Sequence, residues 1–214
     1  MIKRLAVASA VGYLVGTFPT ADLVARRATQ GRVDLRSAGS GNPGSANALN
    51  VLGKKAGAQV LVGDIGKGAL ASGLGAVVAG PAGAHLAGTS AVAGHCYPVW
   101  NGFRGGKGVA TSVGQCLATF PAYFPIDVAV AAATAANPRW KQRAFAATLA
   151  SSICWVVGGF VWWLRGSRNL WGPRPTVLLP LASAASSAII VQRFVAAGPP
   201  GVPWPTTADD GPPH

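Results

Sequence analysis

The sequence contains little charge. Only 11% of its 214 residues are Asp, Glu, Lys or Arg, against about 25% in an average soluble domain. A soluble fold of this length needs a larger polar surface than these residues supply. Half of the residues are hydrophobic and the mean hydropathy is +0.36. The composition therefore indicates an integral membrane protein.

Acidic residues are especially scarce. There are 6 Asp and Glu residues against 18 Lys and Arg residues, which gives a net charge of +12. The basic residues lie between apolar runs, as in loops that contact anionic lipid or an anionic substrate. Aromatic residues make up 8% of the chain and do not alternate with the basic residues, as they would on a platform for stacked bases. We therefore expect contact with membrane lipids and none with nucleic acid.

Cysteine is also rare. The three cysteines, Cys96, Cys116 and Cys154, are odd in number and have no metal-ligand spacing. We interpret them as small core residues and expect no metal site. The N-terminal apolar run resembles a secretory signal, but residues 18–22 make a poor cleavage site. We therefore interpret this run as the first transmembrane helix.

Apolar runs of membrane-spanning length predict an all-α fold with about seven transmembrane helices. At about 1.5 Å per residue, the run 108–136 is too long for a ~30 Å membrane core. Because Pro121 and Pro125 interrupt it, we expect two short helices hinged at 120–125. The predicted spans are 5–25, 56–80, 82–99, the two halves of 108–136, 144–164 and 176–196. They form one predicted domain, 1–197, followed by a proline-rich tail, 198–214, that we expect to be disordered.

Two glycine-rich loops, 26–55 and 100–107, fall on the same side of this topology. Most Lys and Arg residues of the connections fall on that side too. By the positive-inside rule, both loops then lie in the cytoplasm and the N-terminus lies outside.

The first loop contains the spacing G-x-G-x-x-G at Gly39, Gly41 and Gly44. That spacing indicates a dinucleotide site only after a strand and within a βαβ unit, which two membrane spans do not provide. Backbone without side chains, Ser and Asn groups and a nearby arginine still favour close approach to an anion or a carbonyl group. The alternative is a tight connection that needs positive φ. The candidate residues are Arg36, Gly39, Ser40, Gly41, Asn42 and Asn47.

The second loop differs from a Walker A loop, because Asn101 replaces its first glycine and Gly108 follows the lysine. It opens directly into a predicted helix, which brings backbone N–H groups, the positive helix end and an ammonium group together. These features predict a phosphate site. The alternative is a basic loop at the lipid surface, which does not explain the glycines. The candidate residues are Arg104, Gly105, Gly106, Lys107 and Gly108.

Ionisable residues within the predicted spans are functional candidates. His95, at the cytoplasmic end of the third span, is a candidate for catalysis, whereas we interpret His85 as structural. Asp64 and Lys67 are three residues apart and can pair on one helical face. They either line the site or neutralise each other inside the bundle.

Two motifs resemble those of a known bacterial family. Asp-Leu-Arg at 34–36 is followed by Ser-Gly-Asn-x-Gly-x-x-Asn at 40–47, and residues 94–111 read Gly-His-x-x-Pro-Val-x-x-Gly-Phe-Arg-Gly-Gly-Lys-Gly-Val-Ala-Thr. In order and spacing they resemble the first two motifs of the acyl-phosphate:glycerol-3-phosphate acyltransferases, seven-helix enzymes of the bacterial inner membrane. The resemblance extends to about residue 136 and includes the Asp64 and Lys67 pair.

The resemblance implies transfer of a fatty acyl group from acyl phosphate to the 1-hydroxyl of glycerol 3-phosphate, giving lysophosphatidate for phospholipid synthesis. It implies that Ser40 is essential, that Gly105 to Gly108 hold the substrate phosphate and that His95 belongs to the site. Because acyl phosphate is already an activated anhydride, we expect no cofactor. The sequence gives no indication of oligomeric state.

The chain departs from the family pattern in three places. Asn50 replaces an arginine of the first motif, residues 139–143 replace a serine-containing stretch, and residues 191–198 lack the third motif. Arg36 or Arg193 could replace a lost phosphate contact. Two alternatives follow: a catalytically degenerate relative that binds a phosphate or a phospholipid, and a small transporter, which needs a polar path through the spans.

Overall fold

A computed structural model describes residues 1–197 and contains helices but no strand in that range. Four apolar segments of this range are long enough to cross a membrane, namely Ile2–Thr29, Lys54–Asn101, Arg143–Arg165 and Leu178–Ala196. The all-α membrane class is thereby confirmed for the described residues, and the tail 198–214 lies outside them. The helices are α1 (Ile2–Gly16), α2 (Thr20–Thr29), α3 (Ser45–Leu52), α4 (Lys54–Cys96), α5 (Val109–Thr119), α6 (Phe124–Ala136), α7 (Arg143–Arg165) and α8 (Leu178–Ala196).

Helix α4 is a helical hairpin. Ala79 and Gly80 have non-helical backbone angles, Gly80 with φ of +65°, and Pro81 follows them. Glycine adopts this left-handed conformation without the clash that a side chain would cause. The two arms, 54–78 and 81–96, fold back on each other, so that Gly75 lies against the backbone of Gly83. They correspond to the predicted spans 56–80 and 82–99.

The first predicted span is wrong as a single helix. The chain leaves α1 at Thr17 and begins α2 after Pro19, because proline removes a backbone donor and its ring clashes with the preceding turn. Helix α1 packs along the second arm of α4, where Gly12 and Gly16 lie directly against the backbone of Ala87 and Ala91. Small residues permit this close approach, which helps helices associate in lipid.

The prediction of 26–55 as one loop is wrong in part. Helix α2 extends into this segment to Thr29, and α3 follows at Ser45, where it packs on α4 with Leu49 against Gly57. Helix α3 is only 8 residues long. Its apolar positions repeat over barely two turns, which is too few for the helical period to be recognised in the sequence. In the second loop, Val99–Asn101 forms a single 3₁₀ turn.

The hinge predicted at 120–125 is found. Helix α5 ends at Thr119 and α6 begins at Phe124, with Pro125 in the first turn of α6. At about 1.5 Å per residue, the 11 residues of α5 extend ~16 Å, about half of a ~30 Å membrane core. Helix α5 packs on the first arm of α4, α6 packs on α7, and α8 packs on both α7 and α4.

We predict that Gly16→Val destabilises the fold by about 1–3 kcal/mol, because the new side chain would overlap the Ala91 backbone and force α1 away from α4. Thermal unfolding in detergent measures the effect. Gly73→Val is the matched control, because a side-chain carbon at exposed Gly73 meets nothing within 4 Å. Equal unfolding temperatures for the two variants would contradict the packing argument.

Candidate active site

The first loop is held in shape by Asn47 of α3, which is 2% exposed. Its Oδ1 accepts a hydrogen bond from the Ser40 backbone N–H at 2.9 Å, and its Nδ2 donates to the carbonyls of Leu35 and Ala38 at 3.0 and 2.9 Å. Both amide hydrogens are therefore used inside the loop. Asn47, which we predicted to bind substrate, here positions Ser40.

Asp22 of α2 joins the first loop to the second. Its carboxylate accepts hydrogen bonds from both terminal nitrogens of Arg36, at 2.6 and 3.2 Å, and from Asn101 Nδ2 at 3.2 Å. The Nε of Arg36 donates to the Arg104 carbonyl at 3.1 Å. Arg36, which we predicted as a substrate contact, thus connects the two loops. A bidentate arginine–carboxylate pair fixes direction as well as distance.

The two glycines of the second loop lie against His95. Gly105 N–H donates to the Cys96 carbonyl and Gly106 N–H to the His95 carbonyl, both at 3.1 Å. A side-chain carbon on Gly106 would overlap the His95 ring, and one on Gly105 would overlap its carbonyl. These two N–H groups, which we expected to hold a phosphate, instead attach the loop to the end of α4.

Arg193 of α8 holds the same loop from the other side. It is 5% exposed, and its Nε and terminal nitrogen donate to the carbonyls of Gly106 and Gly105 at 3.2 and 2.7 Å. A buried guanidinium requires such acceptors, because its charge has lost the solvation of water. The sequence indicated Arg193 only as a possible substitute for a phosphate contact, whereas its observed contacts position the loop.

Lys107, the last residue of the second loop, lines the cavity described below. Its Nζ is 4.3 Å from the centre of the Phe194 ring, close enough for a cation–π interaction. Burial lowers the pKa of Lys107, and the nearby positive charge of Arg193 lowers it further. The ammonium is therefore held in surroundings that favour an anionic partner.

His95, Asp64 and Lys67 form a buried cluster, at 8, 2 and 7% exposure. Lys67 Nζ lies 2.9 Å from Asp64 Oδ1, and His95 Nδ1 lies 3.7 Å from the same oxygen. Lys67 also donates to the Phe18 carbonyl at 3.3 Å. Asp64 and Lys67 neutralise each other, and Asp64 also lines the cavity beside His95. The two alternatives left open by the sequence are therefore compatible.

Residues of both loops line one cavity of about 520 Å³. Its wall includes Ser40, His95 and Lys107, and it continues between α5, α6, α7 and α8. Of the predicted site residues, Ser40, Asn42, Asn47, His95, Lys107 and Gly108 line this cavity. Arg36, Gly105 and Gly106 line a second pocket of about 20 Å³ with Asp64 and His95. Gly39, Gly41 and Arg104 line neither of these two pockets.

Asp22 was not among the site residues predicted from the sequence. An ionisable residue at the end of an apolar run is a functional candidate, and this rule singles out Asp22. Asp127 and Ser151, which line the cavity between α6 and α7, were not predicted either. The same rule applies to Asp127, because it is the acidic residue of an apolar helix.

The sequence profile of a family described as glycerol-3-phosphate acyltransferase matches residues 6–196. A glycerol-3-phosphate acyltransferase of Exiguobacterium sibiricum is 49% identical over 114 residues, which cover 53% of this chain and 54% of that protein. That alignment spans about half the length of the relative. A glycerol-3-phosphate acyltransferase of Maricaulis maris is 37% identical over 155 residues, which cover 72% of this chain and 69% of that protein.

Two crystal structures of PlsY (YgiH), an integral membrane glycerol 3-phosphate acyltransferase, have a similar fold. The glycerol 3-phosphate form has a TM-score of 0.71 and 27% identity, covering 89% of this chain and 88% of that chain. The lysophosphatidic acid form has a TM-score of 0.68 and 26% identity, covering 89% and 87%. The likeness therefore extends over most of the helical part of the chain.

We predict that Asn47→Ala releases the first loop, because it removes the three hydrogen bonds to the backbone of residues 35–40. At about 0.5–1.5 kcal/mol each, their loss accelerates amide hydrogen exchange in this segment by tenfold or more. Hydrogen–deuterium exchange measures the change. Asn50→Ala, an exposed position on the same helix, is the control. Unchanged exchange in Asn47→Ala would show that other contacts hold the loop.

Proposed function

Since this chain belongs to the glycerol-3-phosphate acyltransferase family, we propose that it transfers an acyl group from acyl phosphate to the 1-hydroxyl of glycerol 3-phosphate. The product is lysophosphatidate, a precursor of phospholipids. One observation carries the proposal: Ser40, His95 and Lys107 line a cavity that continues into apolar space between four helices. A polar end suits the phosphates and an apolar end suits a fatty chain. The glycerol 3-phosphate and lysophosphatidic acid forms of PlsY support both substrate and product.

The first task of the site is to hold two anions together. Both the donor and the acceptor carry phosphate, and their mutual repulsion is strong where water is partly excluded. Lys107 offsets this repulsion, and the desolvation of its ammonium strengthens its attraction for phosphate. Arg193 contributes a second positive charge behind the loop while its guanidinium holds the carbonyls of Gly105 and Gly106.

The second task is to orient the reacting groups. The glycerol hydroxyl oxygen attacks the acyl carbon, the bond to the phosphate oxygen breaks, and the released phosphate accepts the hydroxyl proton. This route uses no cofactor, because the anhydride supplies its own leaving group. Ser40, fixed through its backbone by Asn47, is placed to donate a hydrogen bond to the acyl carbonyl or the hydroxyl. His95 orients the acceptor, and the Asp64 and Lys67 pair keeps it in position.

The arrangement of the helices supports a proposed placement in the membrane. We assign seven membrane segments: α1 with α2, the two arms of α4, the half-length helices α5 and α6, α7 and α8. Residues 1–197 then form one helical domain in a bacterial plasma membrane, with both loops at the cytoplasmic face. In that position the cavity receives glycerol 3-phosphate from the cytoplasm and the acyl donor from the membrane.

One observation favours a second candidate, a degenerate relative that binds phosphate without turnover. Arg36 and Arg193 were the candidates to replace a lost phosphate contact. Arg36 instead donates to the Asp22 carboxylate, and Arg193 donates to the carbonyls of Gly105 and Gly106. Asn50, which replaces the family arginine, is exposed on α3. Under this second candidate, the site binds substrates through Lys107 and lacks the groups that complete the transfer.

We predict that Lys107→Ala lowers kcat/KM for lysophosphatidate formation by about 100- to 1000-fold, the usual effect of removing one stabilising charge or donor. The assay uses purified protein, palmitoyl phosphate and glycerol 3-phosphate. Lys55→Ala is the control, because it removes the same charge from an exposed position. Product formed equally by both variants would refute the role of Lys107. Substrate binding without product in the unaltered protein would establish the second candidate.

The lowered pKa of Lys107 predicts a pH dependence. Because the ammonium loses its proton at a lower pH than an ordinary lysine does, glycerol 3-phosphate binding should weaken as the pH rises through that lowered pKa. Lys107→Arg should retain binding to higher pH, since arginine stays protonated. Titration calorimetry across pH measures both proteins. Parallel pH profiles would mean that another group causes the dependence.

A further inference from the structure

A second groove runs between α6 and α7. Helix α6 packs on α7 and has no buried residue, so most of its surface faces outward. The groove has a volume of about 640 Å³, within the ~300–1,000 Å³ of sites that take small molecules. At 3.6 residues per turn, the α7 residues that line it lie on the opposite face of the helix from those that line the cavity of about 520 Å³. The groove is therefore separate from the candidate active site.

The lining of this groove changes from polar to apolar along its length. Asn137 and Gln142 line it at one end, in the connection between the two helices. Thr134 follows, and its hydroxyl donates to the Val130 carbonyl of its own helix at 2.8 Å. The remaining depth is lined by Ala133, Ala146, Leu149, Ala150 and Ile153. A ligand that fits has a polar end and a hydrocarbon end.

The groove has the depth of one membrane leaflet. Ile153 lies ten residues beyond Arg143, the first residue of α7, which is ~15 Å at 1.5 Å per residue and half of a ~30 Å hydrocarbon core. Its polar end is on the same side of the molecule as the second glycine-rich loop, because the Phe145 ring packs on Phe194 at 5.6 Å and Phe194 contacts Lys107. An acyl chain of the leaflet on that side has the length to lie along it.

The polar end of the groove carries positive charge without a counter-charge. Arg139, Lys141 and Arg143 are exposed, and within residues 1–197 no carboxylate forms an ion pair with any of them. Trp140, between them in the sequence, lines the groove and is 50% exposed. Tryptophan and basic residues together are typical of the headgroup region of a membrane, where basic residues attract anionic lipids.

We propose that the groove between α6 and α7 binds an anionic phospholipid of the surrounding leaflet. The phosphate lies among Arg139, Lys141 and Arg143, one acyl chain lies along the apolar lining, and Trp140 lies at the level of the headgroup. A zwitterionic lipid brings its own positive charge and does not neutralise the three cations, whereas an anionic lipid offsets them. The site is separate from the acyl transfer, so it stands or fails independently of catalysis.

Native mass spectrometry of the full chain in detergent tests the proposal with two probes, dioleoylphosphatidylglycerol and dioleoylphosphatidylcholine. We expect one phosphatidylglycerol to bind at least about tenfold more tightly than phosphatidylcholine, the effect of three basic residues near one anionic headgroup. The triple variant Arg139→Gln, Lys141→Gln and Arg143→Gln should reduce this preference toward one. The charge-state distribution in the same spectra shows whether each variant is folded.

The matched control is the triple variant Arg26→Gln, Arg27→Gln and Lys55→Gln, because it removes the same charge from exposed positions outside the groove. It should keep the preference for phosphatidylglycerol. Ala150→Phe fills the apolar part of the groove and should weaken phosphatidylglycerol binding several-fold with all three cations in place. Val157→Phe, at an exposed position of the same helix outside the groove, should leave binding unchanged.

Equal affinity for the two lipids would overturn the proposal. Equal losses in the two triple variants would overturn it as well, because net charge alone would then attract the lipid. Unchanged binding in Ala150→Phe would place the lipid outside the groove and contradict the proposed site. The same spectra report the oligomeric state, and a dimer that dissociates only in Ala150→Phe would make the groove an interface between two copies of the chain in place of a lipid site.

Discussion

The site depends on the pairing of charges that have been withdrawn from water. A charge in apolar surroundings is costly unless a partner of opposite sign or several hydrogen bonds replace its hydration. Asp64 has Lys67, Asp22 has Arg36, and Arg193 has the carbonyls of Gly105 and Gly106. Each pair joins separate parts of the chain or fixes a turn of a helix, so the pairing of charge also determines the shape of the loops.

The two loops are held from several directions. Asn47 fixes the first loop from α3, Asp22 joins it to the second loop from α2, and Arg193 holds the second loop from α8. The end of α4 completes the arrangement, because the carbonyls of His95 and Cys96 accept hydrogen bonds from the N–H groups of Gly106 and Gly105. Because four helices contribute, the groups that face the cavity are fixed before any substrate arrives, which is the condition for electrostatic stabilisation of a transition state.

Much of the helical arrangement could be predicted from local signals. The Gly-Pro pair at Gly80 and Pro81 separates two apolar runs, and Pro121 and Pro125 interrupt a run too long for one span. The short helix α3 and the break at Pro19 escaped the same reasoning. An eight-residue helix offers barely two turns of periodicity, and a proline near the end of an apolar run does not reveal how the chain continues.

The residue types of the site could be predicted, but several of their roles could not. The sequence marks Asn47, Arg36 and the glycines as unusual, and it does not reveal the direction in which their polar groups point. Arg193 is 86 residues from Lys107 in the chain, so only the fold reveals that both act on one loop. The side chains that contact the backbone of a distant loop are, for this reason, the ones that sequence reasoning most readily misinterprets as ligand contacts.

The hairpin form of α4 bears on how the chain enters the bilayer during synthesis. Its turn consists of Ala79 and Gly80 and carries no charged side chain that must cross to the far side. Two apolar arms joined in this way can partition into lipid together. At the contact of Gly75 with Gly83, each arm covers the backbone of the other and keeps it from the lipid. Asp64 and Lys67 lie on one arm, three residues apart, so the segment brings its own counter-ion. The salt bridge beside His95 thus also reduces the cost of holding these two charges away from water.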